Sequence, residues 1–421
     1  MINKALQMLI AIGIFTIFTN AQAPHGVVYI ESNVGHIAGQ NAVLGYKRDA
    51  AGRLKPLGKF PTGGTGVHPI FIDLGNLAGT LGPFDSDQNI ILSSDGRRLF
   101  AVNSGSDTIA VFDVQSDGDL IPVKGSPFPS GGTDPGSLGL ADDDRILVVV
   151  NQDYDIARPG FDVTRRSPNH TTFRIEGNGR LMPITHSTIA AGLGGTLGPG
   201  NPLPSQALVA PNGSTVFDAD SFGAEVDSFR VDNSGRLSFL ETAETPASEF
   251  VPFPLLTNPL ARPNVLGLIA HPTASVLYAG FVFEGRAGVY TYDERGRVRF
   301  VRSVNAGIGI CWLTRNAAGT RVYAVNTLVN TVSVLDTSDP LNPVNVQDFQ
   351  LAGPTVGAEQ IAIDEGGEYL YVVSQRATAD LPPEANALHV LRLDSDGKIA
   401  EQTDRVVVPV DPSLPQGVAA R

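Results

Sequence analysis

Four ionisable residues of this chain, His68, His170, Glu284 and Glu359, are its candidates for moving a proton during catalysis. General acid–base help is worth about 10²–10⁴ in rate, so a hydrolytic site needs at least one such group beside the reacting atoms. Arg158, Arg165 and Arg166 share one polar stretch, and Arg286 lies two residues from Glu284. A guanidinium offers a bidentate fork to a carboxylate, a phosphate or a developing oxyanion. Each feature also has a plain structural reading: His68 as an ordinary surface histidine, the arginines as a solvated segment, Glu284 and Arg286 as partners of one another. The amides Gln88, Gln206, Asn264, Gln360 and Gln416 could hold a ligand or satisfy exposed backbone groups. Cys311-Trp312 supplies either an aromatic binding face or a core residue. Asp85-Ser86-Asp87 and Asp142-Asp143-Asp144 are carboxylate clusters without a calcium-loop ligand ladder, and HExxH, GxSxG, P-loop and Cys/His arrays are missing. The expectation is a site with no metal and no cofactor.

What positions these residues is a repeat. From Gly26 onward the chain cycles through a short apolar strand, a polar turn, a Val/Leu/Tyr-rich strand, a polar loop, an alternating strand, a glycine turn and a last strand. The clearest copy runs from Asn89 to Val123, where Ser94-Asp95-Gly96 and Ser116-Asp117-Gly118 supply hairpin turns and Thr108 to Val114 alternates with period two. The turn between third and fourth strands recurs at Gly52, Gly118, Gly179, Gly235, Gly296 and Gly397, because a tight reversal favours the positive φ that glycine adopts freely. The sixth unit uses Ser338-Asp339-Pro340 before a strand near Val344 to Gln350, and its Tyr323-Ala324-Val325-Asn326 echoes Phe100-Ala101-Val102-Asn103.

Seven units fit the length, and the first lacks an innermost strand: Val27 to Glu31, Ala42 to Lys47 and Arg53 to Phe60 have no preceding partner. Gln416-Gly417-Val418-Ala419-Ala420 resembles the innermost strands elsewhere, such as Gln206 to Ala210, and is expected to complete the first unit. These repeats predict an all-β, seven-bladed β-propeller of four-stranded antiparallel blades, a single domain over residues 22–421 closed by its C-terminal strand. The hairpin turns would then share one face. The long insertions, Gly63 to Asp87, Asn151 to Asn169, Gly192 to Ser205, Pro246 to Pro263 and Arg376 to Asn386, would share the other and roof the channel mouth. Two of them carry the same Gly-Thr-Leu-Gly-Pro run, at Gly79–Pro83 and Gly195–Pro199, shortly before Gln88 and Gln206. The amides and Glu359 lie at or beside the starts of inner strands on that face.

Bulk properties narrow the partners. A net charge of −13 excludes nucleic acid and anionic membranes as natural ligands, since both demand clustered cations. With Cys311 as the only cysteine, no intrachain disulfide can form. Lys4, the apolar run Ala5 to Phe18 and the small residues after it read as a secretory signal over residues 1–21, cleaved after Ala21. About 14 apolar residues fall short of the roughly 20 that a membrane span needs. A secreted or periplasmic monomer with no membrane span in its mature part is expected.

The chain resembles the lactonase-like seven-bladed propellers, the family of 6-phosphogluconolactonase and the fungal carboxymuconate cyclases. The resemblance rests on SSDGRRLFAVNSGSDTIAVFDV, PSQALVAPNG with VDSFRVDNSGRLSFLE, ICWLTRNAAGTRVYAVNTLVNTVSVLD and IAIDEGGEYLYVVS, and is greatest to exported bacterial members. It implies hydrolysis or isomerisation of a small lactone or cyclic acid at the channel mouth. The family's His, Arg and Glu set has no residue-by-residue match, so a non-catalytic propeller binding a protein or glycan stands beside the enzyme reading. Convergence of Glu, His and Arg within hydrogen-bond reach in the channel would favour the enzyme; a rim of apolar and amide groups around a narrow, plugged channel would favour binding.

Overall fold

The computed structural model describes residues 26–69, 88–192, 202–221, 223–249, 264–353, 357–376 and 381–421, with two short strands at Asp73–Leu74 and Leu77–Ala78. The proposed signal segment and both Gly-Thr-Leu-Gly-Pro runs lie outside the described residues. Among the described residues no helix is long and apolar enough to cross a membrane.

Seven antiparallel sheets form a closed ring, a seven-bladed β-propeller. Blade 5 shows the plan: Val265–Ala270 innermost, then Val276–Phe281, Arg286–Tyr292 and Val298–Asn305 outermost. The middle strands are buried on both faces by neighbouring blades, as in Tyr369–Ser374 of blade 7. Outer strands meet solvent, and Val344–Gln350 of blade 6 alternates exposed with half-buried residues. In blades 2 and 3 the outer strand is split, as Leu120–Pro122 with Phe128–Pro129 and Leu181–Pro183 with Ile189–Ala190.

The first blade is built from both ends of the chain. Gln416–Ala420 pairs with Gly26–Glu31, setting Ala420 opposite Val28 and Val418 opposite Ile30. Arg421 extends the ladder through reciprocal backbone hydrogen bonds with Val27, both 3.0 Å, while its guanidinium reaches Gly96 O and Gln115 O of blade 2.

The turn glycines have a second duty besides their φ values of 73–93°. Each docks on the preceding blade. A Cβ on Gly235 would lie 2.3 Å from Ile184 of blade 3, and one on Gly52 would lie 2.4 Å from Thr403 Oγ1 of blade 7. Second-strand tyrosines fasten the same contacts, Tyr29 donating to Gly118 O at 2.7 Å and Tyr323 to Gly397 O at 2.9 Å. Blade 6, which lacks the glycine, receives Tyr278 on Pro340 O at 2.9 Å.

On the opposite face the blades are clasped just past their second strands. Ser104 donates to Pro135 O, Gln152 to Pro204 O, Thr327 to Ala358 O and Gln375 to Pro415 O, at 2.6–3.1 Å. The echo between Asn103 and Asn326 fastens the second strand to the third within a blade, since both donate Nδ2 to a threonine on the next strand, Thr108 and Thr331.

Candidate active site

The central channel has a volume of about 460 Å³ and is lined by innermost strands of all seven blades, including Ile90, Leu140, Leu208, Ile269, Leu313 and Ile361. Amides bridge the blades toward the loop face. Gln206 donates to Gln88 Oε1 at 2.9 Å and to Leu268 O at 3.1 Å, and accepts from Leu268 N at 2.6 Å. Gln360 donates to Asn89 Oδ1 at 2.6 Å, and Asn89 reaches Gly136 O at 2.8 Å and Gln416 Oε1 at 3.5 Å. The carboxylate cluster at Asp142–Asp144 sits on the other face, in a hairpin turn where Asp144 accepts from Ser94 N. Among the described residues no group of three or more His, Cys, Asp or Glu is placed to hold a metal ion.

Ionisable groups converge away from the axis, on the loop face of blades 2 and 3. His68 Nδ1 lies 2.7 Å from Asp155 Oδ2; the carboxylate side chain is 1% exposed and the imidazole 30%. Arg158 approaches the same oxygen at 3.7 Å and grips Asp107 bidentately at 2.8 and 3.1 Å. Asp134 donates its backbone N–H to Asp107 Oδ1 and accepts from Tyr154 N. Asp107 and Asp134 both hold left-handed backbones at φ 57°, a conformation uncommon outside glycine, Asn and Asp. Burial, helped by the Asp155 charge, pushes the Asp134 carboxyl up to about 7.

The sequence candidates divide between this cluster and the frame around it. Of the four proton movers, His68 alone belongs to the cluster. His170 is fully buried, with Nε2 3.1 Å from Asp218 and its ring 4.5 Å from that of Phe229, which leaves it no face for a substrate. Glu284 is buried and pushed up to about 7 by desolvation. It does not pair with Arg286, which meets Glu249 at 3.5 Å and also bonds Ser303. Glu359 is buried at the head of the innermost strand Ala358–Ile363. Arg165 is exposed beside Asp162, whereas Arg166 stacks on Tyr154 at 4.5 Å and is spent on three carbonyls, Gln152, Asp153 and Pro202. Asn264 is half-buried and accepts Val282 N through its carbonyl. Trp312 is a core residue rather than a channel face: it is fully buried against Tyr323 and Ile361, and its strand shows Leu313 and Thr314 to the channel.

Asp107, Asp134 and Asp155 escaped sequence reasoning. Asp155 sits in a flagged insertion two positions after Asp153, but nothing in the local pattern links it to a histidine 87 positions away. Arg158 is the exception, having been read as able to grip a carboxylate.

The raised carboxyls have a measurable consequence. Desolvation lifts Asp227 to about 7 as well, so three acids hold protons in the folded chain that an unfolded chain releases near pH 4. The folded form therefore binds more protons across that window, and stability should rise as pH falls from about 7 toward 4. Burial lowers His389 to about 4, which opposes the trend below its ordinary 6.5. Desolvation lowers His271 as well and acts in the same opposing sense. Three groups outweigh two: calorimetry should give a Tm higher at pH 5.5 than at pH 8, and a lower Tm would contradict this balance.

Residues 40–165 match the family described as lactonase, seven-bladed beta-propeller. No curated protein matches the sequence. Among solved structures, a Bacteroides uniformis protein whose name proposes 6-phosphogluconolactonase activity aligns at TM-score 0.68 and 16% identity, over 95% of this chain and 100% of that one. A periplasmic gluconolactonase of Pseudomonas aeruginosa aligns at TM-score 0.66 and 16% identity, over 92% and 98%. At such identities the likeness is one of fold: the chain is a seven-bladed β-propeller, and its residues 40–165 match the lactonase family.

Proposed function

We propose that the protein is an exported hydrolase of small neutral lactones, with His68 as its general base. The observation that carries this is the contact between His68 Nδ1 and the buried Asp155 carboxylate. A carboxylate accepts only from a protonated nitrogen, so Asp155 holds the Nδ1–H tautomer and leaves Nε2 as a base. Nε2 takes a proton from water, and the water oxygen attacks the lactone carbonyl carbon. The ring C–O bond then breaks, and the alkoxide takes the proton back from the imidazolium, giving the open hydroxy acid.

A neutral substrate is supported by the described cations of the loop face. Arg158 and Arg166 bond protein acceptors, Arg376 pairs with Asp411 at 2.6 Å, Arg286 pairs with Glu249, and the exposed Arg165 pairs with Asp162 at 3.2 Å. A phosphate would find acids where it needs a guanidinium fork. Export is supported by the apolar amino-terminal run and by the periplasmic neighbour of the same fold.

The test compares an aldonic-acid δ-lactone with its phosphate ester, using purified protein. Opening of the neutral lactone is expected, with His68→Gln and Asp155→Asn each losing about 10²-fold or more in kcat. No hydrolysis of any lactone would end the enzyme reading and leave the amide-bridged channel as support for a binding role. Preference for the phosphate ester would refute neutrality alone.

A further inference from the structure

We infer that His36 is the oxyanion donor of this site, an assignment that rests on the lactonase reading above. His36 is exposed on the loop joining the second and third strands of blade 1. That loop is laced to the one carrying His68. Val67 N donates to Asn33 Oδ1 at 2.8 Å, Gly66 N donates to Val34 O at 2.9 Å, and a Cβ on Gly35 would fall 1.8 Å from Val67 O. His36 and His68 each follow directly after one of the two residues in that last contact, so both rings leave from touching backbones.

Their hydrogen bonds assign them opposite tautomers. Ser413, wholly buried, accepts Gly35 N at 3.2 Å and lies 2.8 Å from His36 Nδ1. Its hydroxyl hydrogen needs an acceptor, and among its described partners His36 Nδ1 is the one that can accept. With Nδ1 accepting, neutral His36 carries its hydrogen on Nε2. Ser413 is itself held, its N–H donating to Val410 O and its carbonyl accepting from Asn386, so the ring is fixed before substrate arrives. His68 thus presents a lone pair and His36 an N–H. When water adds to the lactone carbonyl, that N–H donates to the oxygen that gains charge, and no proton is transferred by His36.

Two measurements on the full chain test this. Two-bond ¹H–¹⁵N correlation should show His36 protonated at Nε2 and bare at Nδ1, with the preference lost in Ser413→Ala. In lactone kinetics His36→Ala should lower kcat by about 10²–10³ with little change in KM, and His36→Gln, which keeps an N–H, should recover part of it. An Nδ1-protonated His36 overturns the assignment, as does an active wild type whose His36→Ala variant keeps kcat within about threefold. A wild type inert toward lactones instead brings down the parent reading, while the tautomer measurement still decides the ring's orientation.

Discussion

Removal of Gln416–Arg421 is expected to abolish the cooperative fold. The deletion leaves blade 1 with three strands and exposes the inner edge of Gly26–Glu31, whose Val28 and Ile30 are fully buried in the ring. It also strips Ala419 from the cluster that joins Val27 and Tyr29 to Ile90 and Leu99 of blade 2. Each lost backbone hydrogen bond is worth about 0.5–1.5 kcal/mol net, and each apolar side chain returned to water about 1.5–3 kcal/mol. A folded domain has only about 5–15 kcal/mol in total, so the loss is of the same size as the whole. Circular dichroism should show no sharp melt for the truncated chain. A transition within a few degrees of the full protein would mean that blade 1 stands without its fourth strand.

Asp364→Ala is the second large effect. Asp364 of blade 7 and Arg48 of blade 1 form an ion pair at 2.9 Å with both side chains 4% exposed. The guanidinium also donates to Tyr371 Oη at 2.7 Å and lies 3.9 Å over the Tyr369 ring. Asp364 Oδ1 accepts two backbone N–H groups, from Glu368 and Tyr369. Removing one member of such a pair strands the other charge away from water, at a cost of about 3–5 kcal/mol. Replacing both by apolar groups, Arg48→Met with Asp364→Leu, should cost less than the two single changes together, because no charge is then left behind. Denaturant melts of the four proteins give the comparison, and additive losses would show that the two side chains act independently.

The blade plan was legible in the sequence for a physical reason: a four-stranded blade writes its period in turn glycines and alternating strands. Gly52, Gly118 and Gly397 identify turns whatever surrounds them. That these turns also seat on the preceding blade was not legible, because close approach of a Cα to Thr403 or Ile184 leaves no local trace in the sequence. The site divides the same way. His68 and Arg158 fell in flagged insertions, but the Asp155 that fixes His68 is known only once blades 2 and 3 stand side by side. Trp312 was ambiguous because side chains of an innermost strand point between blades, and only its structure shows Leu313 and Thr314 at the channel.

The union of the two chain ends in one sheet also sets an order in time. During synthesis Gly26–Glu31 emerges before the other six blades, and its partner Gln416–Ala420 after them. The early strand must therefore wait with a bare edge, open to mispairing, until the other six blades have been delivered. Ring closure comes after every other blade has been made, and any factor that shields that edge in the interval would govern the yield of closed rings.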